Sequence, residues 1–213
     1  MKPTLENVNR ESKEPGRLRI LTVSTAERGG GAEISAWNLF HIYRTLGHSS
    51  RLAVSVRHSD DPAVLSLPGD SSRNAWARFW IRISKRVEPF EGRVRGTTRA
   101  RELCGWIGQP GRSLGRARGH EDFNFPGTWQ LLEHSADFDI VHCFNLHPNY
   151  FDLRILPQLS RKCPVVLDLR DAWLLSGHCA HSFACDRWQT GCGMCPDLTI
   201  YPAIRRDGTA FNW

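Results

Sequence analysis

Four cysteines, Cys179, Cys185, Cys192 and Cys195, fall within seventeen residues at the spacing C-x5-C-x6-C-x2-C, while Cys104, Cys143 and Cys163 are scattered. A C-x2-C pair at a glycine-rich turn, here Gly191-Cys192-Gly193-Met194-Cys195, is the usual knuckle by which two thiolates grip one tetrahedral zinc. Four thiolates close the coordination shell and leave no position for a catalytic water. The expected metal is therefore a structural zinc that staples the loop, and no catalytic metal is expected. His178 or His181 is an alternative ligand for one position, an iron–sulfur cluster is the less favoured occupant, and four free thiols or two disulfides is the plain alternative. A second cluster, H-C-F-N-L-H, sets His142, Asn145 and His147 close together. Imidazoles and a carboxamide can bind hydroxyl-rich ligands or move protons near neutral pH, and each histidine alone also reads as a hydrogen-bonded structural residue. Third, Gly29-Gly30-Gly31-Ala32-Glu33 is a glycine turn opening a helix, where unpaired backbone N–H groups and the positive helix end suit an anionic phosphate. It has neither the G-x-G-x-x-G spacing nor a P-loop lysine, so a tight strand-to-helix turn needing positive φ is an equal reading.

These residues need a frame that brings them together. Arg17 to Ser24 (RLRILTVS) becomes continuously apolar and reads as a strand entering a covered sheet. Ala32 to Leu46 places Ile34, Trp37, Leu39, Ile42, Tyr43 and Leu46 at helical spacing up to Gly47, and Leu52 to Val56 supplies a second strand. Between His58 and Asn124 the pattern is broken by Gly and Pro. Asn74 to Val87 is the clearest helix there, and Arg93 to Gly119, rich in Arg and Gly, is expected to be mobile. Regularity returns with a helix at Thr128 to Ser135, a strand at Asp139 to Cys143, a helix at Tyr150 to Leu159 and a buried strand at Pro164 to Leu169. Strands alternating with helices predict an α/β fold with a doubly wound parallel sheet. Ligands of such sheets sit beyond the carboxyl ends of the strands, which directs attention to Gly29 to Gly31, His142 to His147 and Arg170 to His178.

Composition narrows the class. The chain has 213 residues, 40% of them hydrophobic, and 28 Lys and Arg against 22 Asp and Glu. That is enough to bury a core, and it excludes collagen-like, coiled-coil-only and acidic solvating chains. Arg73 to Arg118 alone carries twelve basic and three acidic residues, so this one segment makes the protein basic. The basic aromatic helix within it reads first as core packing with a rim facing an anionic membrane surface, and last as a nucleic-acid site, because no nucleic-acid module pattern is present. No run reaches the ~18 apolar residues of a membrane span, and Met1 to Gly16, expected to be a disordered leader, has no secretory pattern. The expected location is cytoplasmic, with peripheral attachment to the inner face of the membrane.

Three stretches carry a family likeness: ILTVSTAERGGGAEISAWNLFHIYRTLGH, DFDIVHCFNLHPNYFD and DAWLLSGHCAHSFACDRWQTGCGMCPDL. Together they resemble the amino-terminal half of family-four retaining glycosyltransferases, in the subgroup of colanic acid and related exopolysaccharide assembly. The likeness covers Arg17 to Trp213, with a divergent basic insert at 60–118. It implies a GT-B architecture, two facing Rossmann-like domains with the acceptor mainly on the first and the nucleotide-sugar donor mainly on the second. It further implies metal-independent transfer with retention. By the same resemblance, Gly30, Gly31 and Ala32 approach the donor diphosphate, Asn145, His147 and Trp173 line the acceptor side, and Arg170, Asp171 and His142 are cleft candidates for catalysis. Arg170-Asp171 stands where the family usually has His-Asp, so a permanent cation replaces an imidazole. The donor domain is expected to be absent after Trp213, which leaves an acceptor-binding half that is inactive unless a separate donor domain partners it. The alternative is a non-catalytic, zinc-stabilised binding module for a membrane glycolipid or a partner protein.

Overall fold

A computed structural model describes residues 16–146 and 150–213. The chain falls into two compact units, one made of the described residues up to Gly69 together with Phe125–Asp171, the other of Asp70–Asn124 with Ala172–Trp213.

The first unit is α/β. Its strands β1 (Arg19–Ala26), β2 (Ser49–Val56), β3 (Val64–Ser66), β4 (Ile140–Phe144) and β5 (Val165–Asp168) form one sheet in the order β3-β2-β1-β4-β5. Every pairing is parallel, with Val23 of β1 opposite both Ala53 and Cys143. This is the Rossmann-like order, in which the chain winds outward from a central first strand. The unbroken apolar run of β1 follows from its place: it is covered on both faces, and Leu21, Val23, Leu52 and Val54 are buried. Phe40 on α1 (Gly31–Thr45) packs with Leu52, Val54 and Val64, with Trp37 against them. Arg19 donates from its backbone N–H and its guanidinium to Asp139, pinning the start of β1 to the entry of β4. Gly47, at φ 86°, ends α1 as expected, where the backbone must turn into the left-handed region.

Two expected helices are shorter here. Thr128 to Ser135 becomes a 3₁₀ turn at Pro126–Trp129 followed by α5 (Gln130–Glu133), and Tyr150 to Leu159 becomes a turn at Leu153–Ile155 leading into α6 (Leu156–Ser160). In the second of these the cause is Asp152, whose buried carboxylate accepts from the Arg154 backbone N–H at 3.1 Å, taking an N-cap role inside the expected helix, and also from Trp129 Nε1 at 2.9 Å.

The second unit begins with α2 (Ala75–Val87), capped by Asn74, whose side chain accepts from the Ala77 N–H at 2.8 Å. The expectation of a mobile Arg93 to Gly119 is corrected, since this stretch forms α3 (Thr97–Gly108) and α4 (Pro110–Ala117). Gly108 is a contact and not a breaker, because a Cβ there would lie 2.6 Å from Trp80 Cβ, and Pro110 stands at the start of α4, where its missing N–H costs nothing. Ala172–Trp213 is mostly turns closed by α7 (Thr209–Asn212). Asn212 locks that end: its side-chain NH₂ donates to the carbonyls of Gly119 and Gly177, and its oxygen accepts from the Glu121 N–H. No helix among the described residues is long and apolar enough to cross a membrane.

Candidate functional site

In the first unit, Gly30 is the N-cap of α1 and offers no side-chain cap, so the first amides of the helix depend on other acceptors. Gly29, Gly30 and Gly31 are exposed, and none has positive φ, so the turn does not need glycine for its backbone angles. A Cβ added at Gly29 or Gly30 would meet the Glu33 side chain at 3.3 Å. The carboxylate of Glu33 thus lies over the glycine turn as an internal anion at the positive helix end, and a phosphate approaching these amides must share the space with it. Just before the turn, buried Glu27 accepts from the backbone N–H groups of His58 and Ser59 at 3.1 and 2.7 Å, tying the carboxyl end of β1 to that of β2.

At β4, Ile140, His142 and Phe144 alternate onto one face. His142 Nδ1 lies 3.0 Å from Tyr43 Oη of α1, and its ring is 4.4 Å from that of Phe144. Burial pulls its pKa down and Arg170 adds to that, against the opposing pull of Asp168, so the imidazole is neutral at pH 7. Burial, then Asp168, raises the Tyr43 hydroxyl. The pair is therefore uncharged on both sides. Arg170 donates to Asp168 at 2.8 Å and sets its guanidinium 5.6 Å from the centre of the Phe144 ring. Asn145, directly after β4, adopts φ 43°, which asparagine tolerates, and its N–H reaches toward the Asp168 carbonyl at 3.4 Å. Asp171 is half-buried, and His147 lies outside the described residues. The strand ends thus bring together His142, Asn145 and Arg170, with Tyr43 and Asp168 as partners that spacing along the chain did not signal.

In the second unit Trp173 is 5% exposed, and its indole N–H donates to Glu121 at 3.3 Å. Burial raises the Glu121 carboxyl above the usual range. The cysteine segment forms a second constellation. Gly191, Gly193 and Met194 take φ of 130°, 151° and 45°, which shapes the C-x2-C turn. Cys192 Sγ accepts from the Gly177 N–H at 3.2 Å, and the Cys195 N–H donates to Asp207 at 2.7 Å. Burial pushes the thiols of Cys192 and Cys195 up, reinforced by the neighbouring Cys179 and Cys185 and, at Cys195, first by Asp207. All four are free thiols, which sets aside the reading of two disulfides. His178 is almost fully buried. Its Nδ1 is 3.2 Å from the Pro202 carbonyl, which can only accept, so Nδ1 carries the proton and Nε2 faces Cys195 Sγ at 3.3 Å. Among the described residues no group of three or more His, Cys, Asp or Glu side chains is arranged to hold a metal ion, so these thiols are neighbours without forming a coordination shell.

The chain is similar to the Escherichia coli (strain K12) protein WcaC, assigned as a colanic acid biosynthesis glycosyl transferase, with 29% identity over 91 residues. The match takes in 39% of this chain and 22% of that protein, so it spans less than a quarter of the relative's length. No family model matches the chain, and no solved structure matches it.

Proposed function

We propose that this chain is the acceptor-side part of a retaining GT-B glycosyltransferase of surface-polysaccharide assembly, which moves a sugar from a nucleotide-sugar donor to a glycan or lipid-linked acceptor. The observation that carries the reading is the likeness to WcaC, on a chain whose first unit has a parallel β3-β2-β1-β4-β5 sheet opening with a glycine turn. In this reading the open amides of Gly30, Gly31 and Ala32 meet the donor diphosphate, with Glu33 swinging aside as the anion arrives. Asn145 and His147 hold acceptor hydroxyls, and Trp173 is assigned to the acceptor side by the family likeness. Arg170 supplies positive charge where a leaving phosphate develops negative charge, and the neutral His142–Tyr43 pair orients a hydroxyl without adding charge. Asp171 completes the cleft. Transfer needs a donor domain, in the same chain or separate, because the acceptor hydroxyl and the donor phosphate must be held together. The work belongs on the cytoplasmic side of the cell membrane, where nucleotide-sugar donors are found. Titrating labelled protein with uridine and guanosine diphosphates tests the phosphate contact. Shifts at the amides of Gly30, Gly31 and Ala32 are expected; unchanged amides at millimolar nucleotide would overturn it.

Structural zinc belongs to the same reading. The donors are of the right kind, though their side chains are not arranged as a shell: Cys179, Cys185, Cys192 and Cys195 would supply four thiolates, or His178, its Nδ1 held by a backbone carbonyl as in metal-binding histidines, would replace one of them. Zinc, when bound, would supply a cross-link that fixes this turn-rich segment. Protein purified under reducing conditions should carry one equivalent of zinc, and Cys192→Ser should lose it with a lower Tm. Metal-free wild-type protein would contradict the assignment.

A further inference from the structure

We infer that the exposed face shared by α2 and α3 is a binding surface for an anionic phospholipid membrane. On α2, Trp76 and Phe79 are 56% and 52% exposed; on α3, Leu103 is 59% exposed, and Trp106 and Ile107 are also exposed. Single apolar residues on a surface are ordinary, but five large ones on two packed helices are not. They are held in place. The Trp76 indole N–H donates to the Ile107 carbonyl at 2.9 Å, which sets the exposed ring of one helix beside the exposed side chain of the other. Trp80 backs both neighbours, its ring centre 5.8 Å from that of Trp76 and 5.6 Å from that of Phe79, and is itself seated on Gly108.

Charge identifies the occupant. From Ala75 to Val87 there is no acidic residue. Lys85 is held by Asp70, and Arg101 by Glu88 and Glu91, whereas Arg82, Arg86, Arg93, Arg95 and Arg99 have no ion-pair partner among the described residues. Apolar rings and aliphatic chains bordered by unneutralised arginines complement an interface in which acyl chains lie beneath anionic headgroups. A nucleic acid would use the arginines and the rings but leave Leu103 and Ile107 without a role, since neither has a π-face on which a base can stack.

The test is sedimentation of the full chain with two sets of vesicles, phosphatidylglycerol mixed with phosphatidylethanolamine, and phosphatidylcholine alone. Binding to the first and not the second is expected, weakening with salt. Phe79→Ser with Trp106→Ser should reduce binding at least tenfold, and Arg82→Gln with Arg86→Gln and Arg93→Gln by about fivefold per residue. Brominated acyl chains should quench tryptophan emission of the wild-type protein, a readout that needs no variant to fold. The proposal is overturned by equal partition into both vesicle types, by absent quenching, or by folded variants that bind as wild type does. It is also overturned by a wild-type dimer that Phe79→Ser disrupts while vesicles go unbound, which would assign the face to a second copy. The result is independent of the glycosyltransferase reading, since the vesicles probe the second unit and the nucleotides probe the strand ends of the first.

Discussion

His142 shows how one side chain can report on the sheet around it. Burial keeps its imidazole pKa below the ordinary value of about 6.5, so the unfolded chain takes up a proton at a pH where the folded one does not. Its contribution to stability is present above pH ~6.5 and is lost as the pH falls through the lower folded value. Urea unfolding at pH 7.5 and pH 5 should therefore show a steeper loss for wild type than for His142→Asn, and equal losses would show that the site does not depress the pKa. The histidine was legible as a strand-end residue from H-C-F-N-L-H, but its partners were not. Tyr43 is 99 residues away and Asp168 lies on the next strand, and such contacts follow from the order of the strands rather than from local spacing. Glu27 was missed for the same reason, since its two backbone donors come from the end of β2.

Among the elements, those legible in the sequence were the ones whose burial leaves a long pattern. The apolar runs of β1 and β4 and the limits of α1 agree with the sequence reading, but two burial expectations are corrected: the face that α1 buries is Ala36 and Phe40, with Ile34, Ile42 and Leu46 exposed, and β5, expected as a buried strand, is an edge strand with Val166 and Leu167 exposed. By contrast β3 has three residues, too few for any period to show, and α3 and α4 were obscured by glycines that read as breakers. Gly119 makes that point energetically. It has φ 81°, and a Cβ there would come within 1.9 Å of the Arg206 carbonyl oxygen, so the close approach of two backbone segments requires its bare Cα. Gly119→Ala should destabilise the second unit by about 1–3 kcal/mol through steric strain, measured by thermal or denaturant unfolding, and an unchanged midpoint would refute the close contact. Asn74→Ala should cost about 1 kcal/mol through loss of the α2 cap, and a change below a few tenths would show that the cap is immaterial.

At the scale of the whole molecule, the proposed chemistry and the proposed attachment would fall to different parts of the chain. The Rossmann-like sheet presents Gly30, Asn145 and Arg170 at its strand ends, whereas the unpaired arginines and exposed rings belong to the helices of the other unit. Such a division suits an enzyme whose acceptor is carried on a lipid, because a surface that holds the membrane raises the local concentration of that acceptor. The central claim, that this chain is the acceptor side of a sugar transferase, is tested most directly by saturation-transfer NMR with soluble oligosaccharide fragments of an exopolysaccharide, paired with amide shifts of the protein. The account predicts saturation of sugar protons and shifts at Asn145, Leu146 and Arg170, with both reduced in Asn145→Ala. No saturation at millimolar oligosaccharide, or shifts confined to residues 172–213, would contradict it.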